Sequence, residues 1–193
     1  MAEEPSESRG DANLDGGPVH LLVIGCGNPM AGDDSAGPEI IHRLEARGDC
    51  RCELRYIPQA GPDLLETFRT ADVLVFVDAV SSGAQPGTLH LVPLPSRIME
   101  PRAVGAISSH GWGLTETLDL ARALRRPLPR LLLLGVEVAG AEQGAPRSAA
   151  VEQAIALVVE RFPNLQSLLL KPEAGVWSKP RHFAPGDASF PGE

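Results

Sequence analysis

The sequence predicts a layered α/β domain with a largely parallel sheet, and three observations carry that expectation. Short apolar runs at Val19–Ile24, Val73–Val77 and Leu131–Val138 read as strands buried on both faces, as strands of parallel sheets are. Segments with apolar residues at helical spacing stand between them. Glycine and proline mark the joints, so strand and helix alternate over residues 19–162.

Taken in order, Val19–Ile24 is stopped by Gly25 and Gly27, and Pro38–Arg47 follows with Ile40, Ile41 and Leu44 on one helical face. Glu53–Ile57 reads as a second strand. Pro62–Thr70 reads as a proline-started helix with Leu64, Leu65 and Phe68 at helical spacing. Val73–Val77 is a buried strand that ends in Asp78, and Pro86-Gly87 turns the chain into a strand at Thr88–Val92. Leu114–Leu124 is an amphipathic helix closed by Pro127 and Pro129, Leu131–Val138 is a strand, and Ser148–Phe162 is the last helix. Residues 1–17 lack periodicity and read as a disordered leader, residues 18–165 as the domain, and residues 166–193 as a Pro/Gly-rich tail, extended or disordered from 171 onward.

Composition removes several function classes. The longest apolar runs fall far short of the ~20 residues of a membrane span, and the acidic N-terminus has no basic-then-apolar order of a secretory signal. A net charge of −8 argues against a nucleic-acid backbone as partner. Aromatic residues make up 4%, which leaves no stacking platform for bases. Three cysteines, Cys26, Cys50 and Cys52, do not make a disulfide framework, and a reducing cytoplasm is the expected setting. They also lack the spaced pairs of a zinc site and read as small apolar side chains near strands.

Two places carry chemistry. Gly25-Cys26-Gly27-Asn28 sits between strand and helix, where a dinucleotide fold puts its phosphate loop, yet Met30 occupies the position of the third glycine. Asp33 and Asp34 would repel a phosphate there, so a nucleotide module is disfavoured and the glycines read as a tight turn. The second place is the carboxyl ends of the strands, where open α/β sheets bind ligands. Asp33 and Asp34 follow the first strand, Asp78 ends VLVFV, and His110 lies in the loop Ile107–Gly113 ahead of a helix. Two carboxylates and an imidazole suit a borderline divalent metal such as zinc or nickel, or acid–base work. Each residue also has a structural reading: a helix cap for Asp33 or Asp34, a turn former for Asp78, an exposed loop histidine for His110. His42 is mid-helix, His90 within a strand, and His20 and His182 near the ends, so none of these has such company.

These motifs together resemble the nickel–iron hydrogenase maturation endopeptidases. Ile24-Gly25-Cys26-Gly27-Asn28 followed by Asp33-Asp34 and Gly37 is similar to the family's first motif, and Val77-Asp78-Ala79 with Pro86-Gly87-Thr88 to its second. Ser108-Ser109-His110 with Gly113-Leu114 looks like the third, and Gln59-x-x-Pro62-x-Leu64 like a segment of one branch. Tyr56-Ile57-Pro58-Gln59 stands where other members carry Asp-Gly-Gly-Thr. The resemblance implies a three-layer α/β/α domain around a twisted sheet of about five strands. It implies Asp34, Asp78 and His110 as metal ligands and catalytic residues. It further implies an aspartic-type endopeptidase that removes the C-terminal extension of the hydrogenase large-subunit precursor once nickel is installed. Nickel would then be presented by the substrate, the precursor would be the partner of a monomeric enzyme, and no nucleotide would be needed. Cys26 has no histidine nearby in sequence and abuts a buried strand, which speaks against it as the nucleophile. A non-proteolytic nickel-binding or delivery protein could use the same three residues, although it would more often carry a His-rich or Cys/His-rich tract.

Overall fold

The computed structural model describes residues 18–58, 61–94, 111–140 and 144–192. Six strands form one sheet: β1 (Leu21–Cys26), β2 (Glu53–Ile57), β3 (Val73–Val80), β4 (Leu89–Leu94), β5 (Arg130–Glu137) and β6 (Arg181–Phe183), in the order β2-β1-β3-β5-β4-β6. The β2-β1-β3-β5 half is parallel, whereas β4 runs antiparallel to both β5 and β6. Every residue of β1 and β3 is buried, as continuous apolar runs in a doubly covered sheet require.

Side-chain alternation along β3 divides the core. Val73, Val75 and Val77 meet α1 (Ala36–Arg47) and α4 (Ala149–Leu169) through Ile40, Ile41, Ile155 and Val158. Leu74 and Phe76 face the other way, toward Leu64 and Phe68 of α2 (Leu64–Thr70) and Leu114 and Leu118 of α3 (Gly111–Ala123). Three layers result, as expected.

Three sequence expectations need correction. The last helix does not stop at Phe162 but runs through Pro163 to Leu169. Proline has no N–H for the carbonyl of Val159, four residues earlier, and the Arg47 guanidinium donates to that carbonyl instead. The end of the chain is not a loose tail. Val176, Phe183 and Phe190 are buried in the core on the α1/α4 side, and β6 pairs with β4, which gives the sheet its sixth strand. These apolar residues are scattered among breakers with no period, so pattern alone gives no sign of them. Finally, Cys50 and Cys52 are joined in a disulfide with Cα atoms 5.4 Å apart. A pair two residues apart closes through a local turn and needs no framework of distant bridges.

Candidate functional site

The loop from Gly27 to Ser35 crosses the tip of β1 and is built on close backbone approach. Gly27 has φ of 128°, and a Cβ there would lie 2.1 Å from the Asp34 carbonyl oxygen. A Cβ on Gly37 would lie 2.1 Å from the Cys26 carbonyl oxygen and 2.5 Å from that of Val77. The first turn of α1 can therefore rest on the tips of β1 and β3 only because residue 37 is glycine. The 3-10 turn Gly32–Ser35 also lies against β3. Asp34 therefore lies in the turn three residues before Gly37, and Asp78 in β3 immediately after Val77, since that strand runs on to Val80 and does not end at Asp78 as expected; both carboxylates are buried.

The two adjacent aspartates of the first motif do different things. Asp33 braces the other side of the sheet: its Oδ2 accepts from the Ala139 amide at 3.0 Å and its Oδ1 from the Ser148 amide at 2.6 Å. Asp34 turns inward, and its Oδ2 accepts from the Asn28 amide at 2.9 Å. The glycine-loop amide that a phosphate would need is thus directed at the protein's own carboxylate, in keeping with the tight-turn reading. Asp78 Oδ1 accepts from the Ala79 amide at 2.9 Å. Alternation along β3 places Asp78 on the same face as Leu74 and Phe76, the face that α3 covers.

Cys26 belongs to that face too. Burial pushes its thiol well above the ordinary range, and the Asp78 carboxylate pushes it further the same way. A thiol held protonated in this manner is a poor nucleophile at neutral pH. His110 lies outside the described residues; α3, which begins at Gly111, carries Leu114 and Leu118 onto Asp78's side of the sheet. Among the described residues, no three His, Cys, Asp or Glu side chains come together as a metal site. Of the three ligands expected, the described residues contain Asp34 and Asp78.

Two grooves of about 350 and 470 Å³ flank the loop that carries Asp34 and share Pro29, Ser35 and Arg147 as walls. Tyr56 lines one, and Met30, 71% exposed at the loop tip, lines the other. Arg147 Nη1 donates to Ser35 Oγ at 3.0 Å, which ties the two walls together.

Sequence reasoning missed a second polar cluster. His90 and His182 face each other across β4 and β6 with Nδ1 atoms 2.7 Å apart, and His90 Nε2 lies 3.0 Å from Glu137 Oε2. Glu137 also accepts from the Ser82 and Gly83 amides and from Ser82 Oγ. Nothing local signals this cluster, because its two histidines are 92 positions apart.

The profile of the hydrogenase maturation protease family matches residues 39–164, a span that contains Asp78 and His110 and begins just after Asp34. The hydrogenase expression/formation protein HupD of Thiocapsa roseopersicina is 34% identical over 121 residues, covering 61% of this chain; the chain spans about half, 53%, of that relative's length. HupM of Azotobacter chroococcum mcd 1, a protein of the same description, is 32% identical over 186 residues, which cover 91% of this chain and 81% of the relative. The solved structure of the hydrogenase maturating endopeptidase HybD from E. coli is similar with a TM-score of 0.64 and 26% identity, over 77% of this chain and 93% of that one.

Proposed function

The chain belongs to the hydrogenase maturation protease family, and on that premise we propose that it is an endopeptidase that trims the large-subunit precursor of a nickel–iron hydrogenase. The bond cut is the one that releases the precursor's C-terminal extension, after nickel has been inserted. The observation that carries this reading is the burial of two carboxylates, Asp34 in the turn after β1 and Asp78 in the neighbouring strand β3, each accepting from a backbone amide. Asp34, Asp78 and His110 are the ligands we assign to nickel that the substrate brings.

The donor chemistry fits that cargo. Two carboxylates and an imidazole make an open, mostly hard set that holds nickel weakly alone, and precursor thiolates supply the soft ligands. Recognition then depends on correct loading. A metal bound there polarises a carbonyl or a water molecule, while the chain's own residues fix where the scissile segment sits. The grooves beside Pro29 and Ser35 offer room for the peptide on either side of that segment. A cytoplasmic location and a monomeric state are part of the proposal.

The test uses the full chain with nickel-loaded and nickel-free precursor, read by intact mass. The expected outcome is shortening of the loaded precursor without added metal and no cutting of the unloaded one. Asp34→Asn, Asp78→Asn and His110→Ala should each abolish shortening while the protein stays folded. Efficient cutting of nickel-free precursor would end the sensor role, and nickel transfer without shortening would replace the protease with a carrier.

A further inference from the structure

Residues 171–192 lie beyond the family-matched segment and cross the sheet edge as a strap, with β6 pairing Leu89↔Phe183, His90↔His182 and Leu91↔Arg181. The middle pair is the polar one. His90 and Glu137 are almost fully buried, with side-chain exposures of 8% and 2%, whereas His182 reaches solvent. Since Glu137 accepts from His90 Nε2, His90 carries its proton there and offers the lone pair of Nδ1 to His182. Only one proton fits between two Nδ1 atoms 2.7 Å apart. His182 can be neutral or charged and still donate across the gap. When both rings carry a second proton, the two Nδ1 atoms are donors that face each other.

We propose that Glu137, His90 and His182 form a proton-operated latch that fastens the C-terminal strap to the sheet at neutral pH and loosens it in acid. Among the described residues, the groups around His90 leave it no other partner for an added proton. Glu137 comes from β5 and is occupied by Ser82 and Gly83 as well. His182 is the ionisable group that β6 presents to His90, because Arg181 projects to the opposite face, with its guanidinium 5.4 Å from the Phe183 ring. Asp78 of β3 shares the row but is separated from His90 by Gly135. On α3, which covers this face, Glu116 and Asp119 are exposed.

The direction of the effect follows from proton counting. Burial lowers His90's proton affinity below the ordinary value of 6.5, and the charge of His182 lowers it further, while Glu137 opposes both. The free strap therefore binds more protons than the docked one. Docking is complete above pH 6.5 and weakens as pH falls from there toward the docked histidine's lower value. The response is bounded at roughly tenfold per pH unit across that window.

Hydrogen exchange on the full chain at pH 7.5, 6.5, 5.5 and 5.0, corrected for intrinsic rates, reads the latch directly. Amides of 176–192 should exchange up to roughly tenfold faster per pH unit below 6.5, a steeper rise than those of α4 show. The His90→Phe/His182→Phe variant, which replaces the pair by an apolar one, should keep the strap protected at pH 5.0. Nitrogen chemical shifts of the imidazole rings supply a readout that needs no variant: His90 should be the neutral Nε2–H form at pH 7.5 and gain its second proton as the strap loosens. Strap protection unchanged while His90 takes up that proton overturns the proposal, as does an equal pH response in the double variant.

Discussion

The molecule has two polar corners along one edge of its sheet, and they are held together in opposite ways. In the turn after β1 and in β3, Asp34 and Asp78 are oriented by amides six and one residues away in sequence. At the other corner, His90 is held by Glu137 and His182, 47 and 92 residues away. Yet Asp78, Gly135, His90 and His182 form one continuous row across four strands, on one face of the sheet. The contrast separates two kinds of polar burial. Local amides orient a carboxylate within its own loop or strand, whereas the distant network fastens one piece of chain to another.

The same contrast explains what could be read from the sequence. The parallel half was legible because β1, β3 and β5 are apolar runs, because helices follow β1, β2 and β5, and because carboxylates follow the apolar runs of β1 and β3. The division of labour between Asp33 and Asp34 was not, since it depends on Ala139 and Ser148, more than a hundred positions on. The sequence gives no sign that His90 and His182 meet, because they come together only when β6 pairs with β4. The strap was read as a tail because three residues as short as β6 carry no period.

Removing the strap is the severest way to break the comparison. Deleting residues 171–193 uncovers Val176, Phe183 and Phe190, whose side chains contribute about 1.5–3 kcal/mol each when fully buried. Their sum is comparable with the whole stability of a typical domain, roughly 5–15 kcal/mol. The shortened protein should be insoluble or melt far below the full chain in calorimetry. A truncated chain with an unchanged melting temperature would show that the strap lies on the surface without supporting the core.

A milder pair of changes sharpens the first corner from within. Asp33→Ala leaves two backbone amides without their carboxylate, at about 1–3 kcal/mol each. Melting should fall by roughly 10 °C, with precursor processing retained below the transition. Asp34→Asn keeps an oxygen for the Asn28 amide, so melting should hold while processing is lost. Loss of processing with Asp33→Ala in a folded sample, or its survival with Asp34→Asn, would reverse the roles given to these neighbours.

The smallest effect concerns the helix beneath the strap, where a distant partner repairs a local defect. Pro163 leaves the Val159 carbonyl without an N–H four residues on, and Arg47 of α1 supplies the donor. Arg47→Ala should cost about 1 kcal/mol, seen as a melting shift of about 2–4 °C. Arg47 also pairs with Asp49 at 2.7 Å, but that bridge is exposed and adds little, so Asp49→Ala serves as the control. Pro163→Ala restores the missing N–H and makes Arg47 redundant at that carbonyl. In the Pro163→Ala background, therefore, Arg47→Ala should cost much less, a coupling of about 1 kcal/mol in a double-mutant cycle. Additive costs would mean that the carbonyl is satisfied by another route, and that α4 passes through its proline without help from α1.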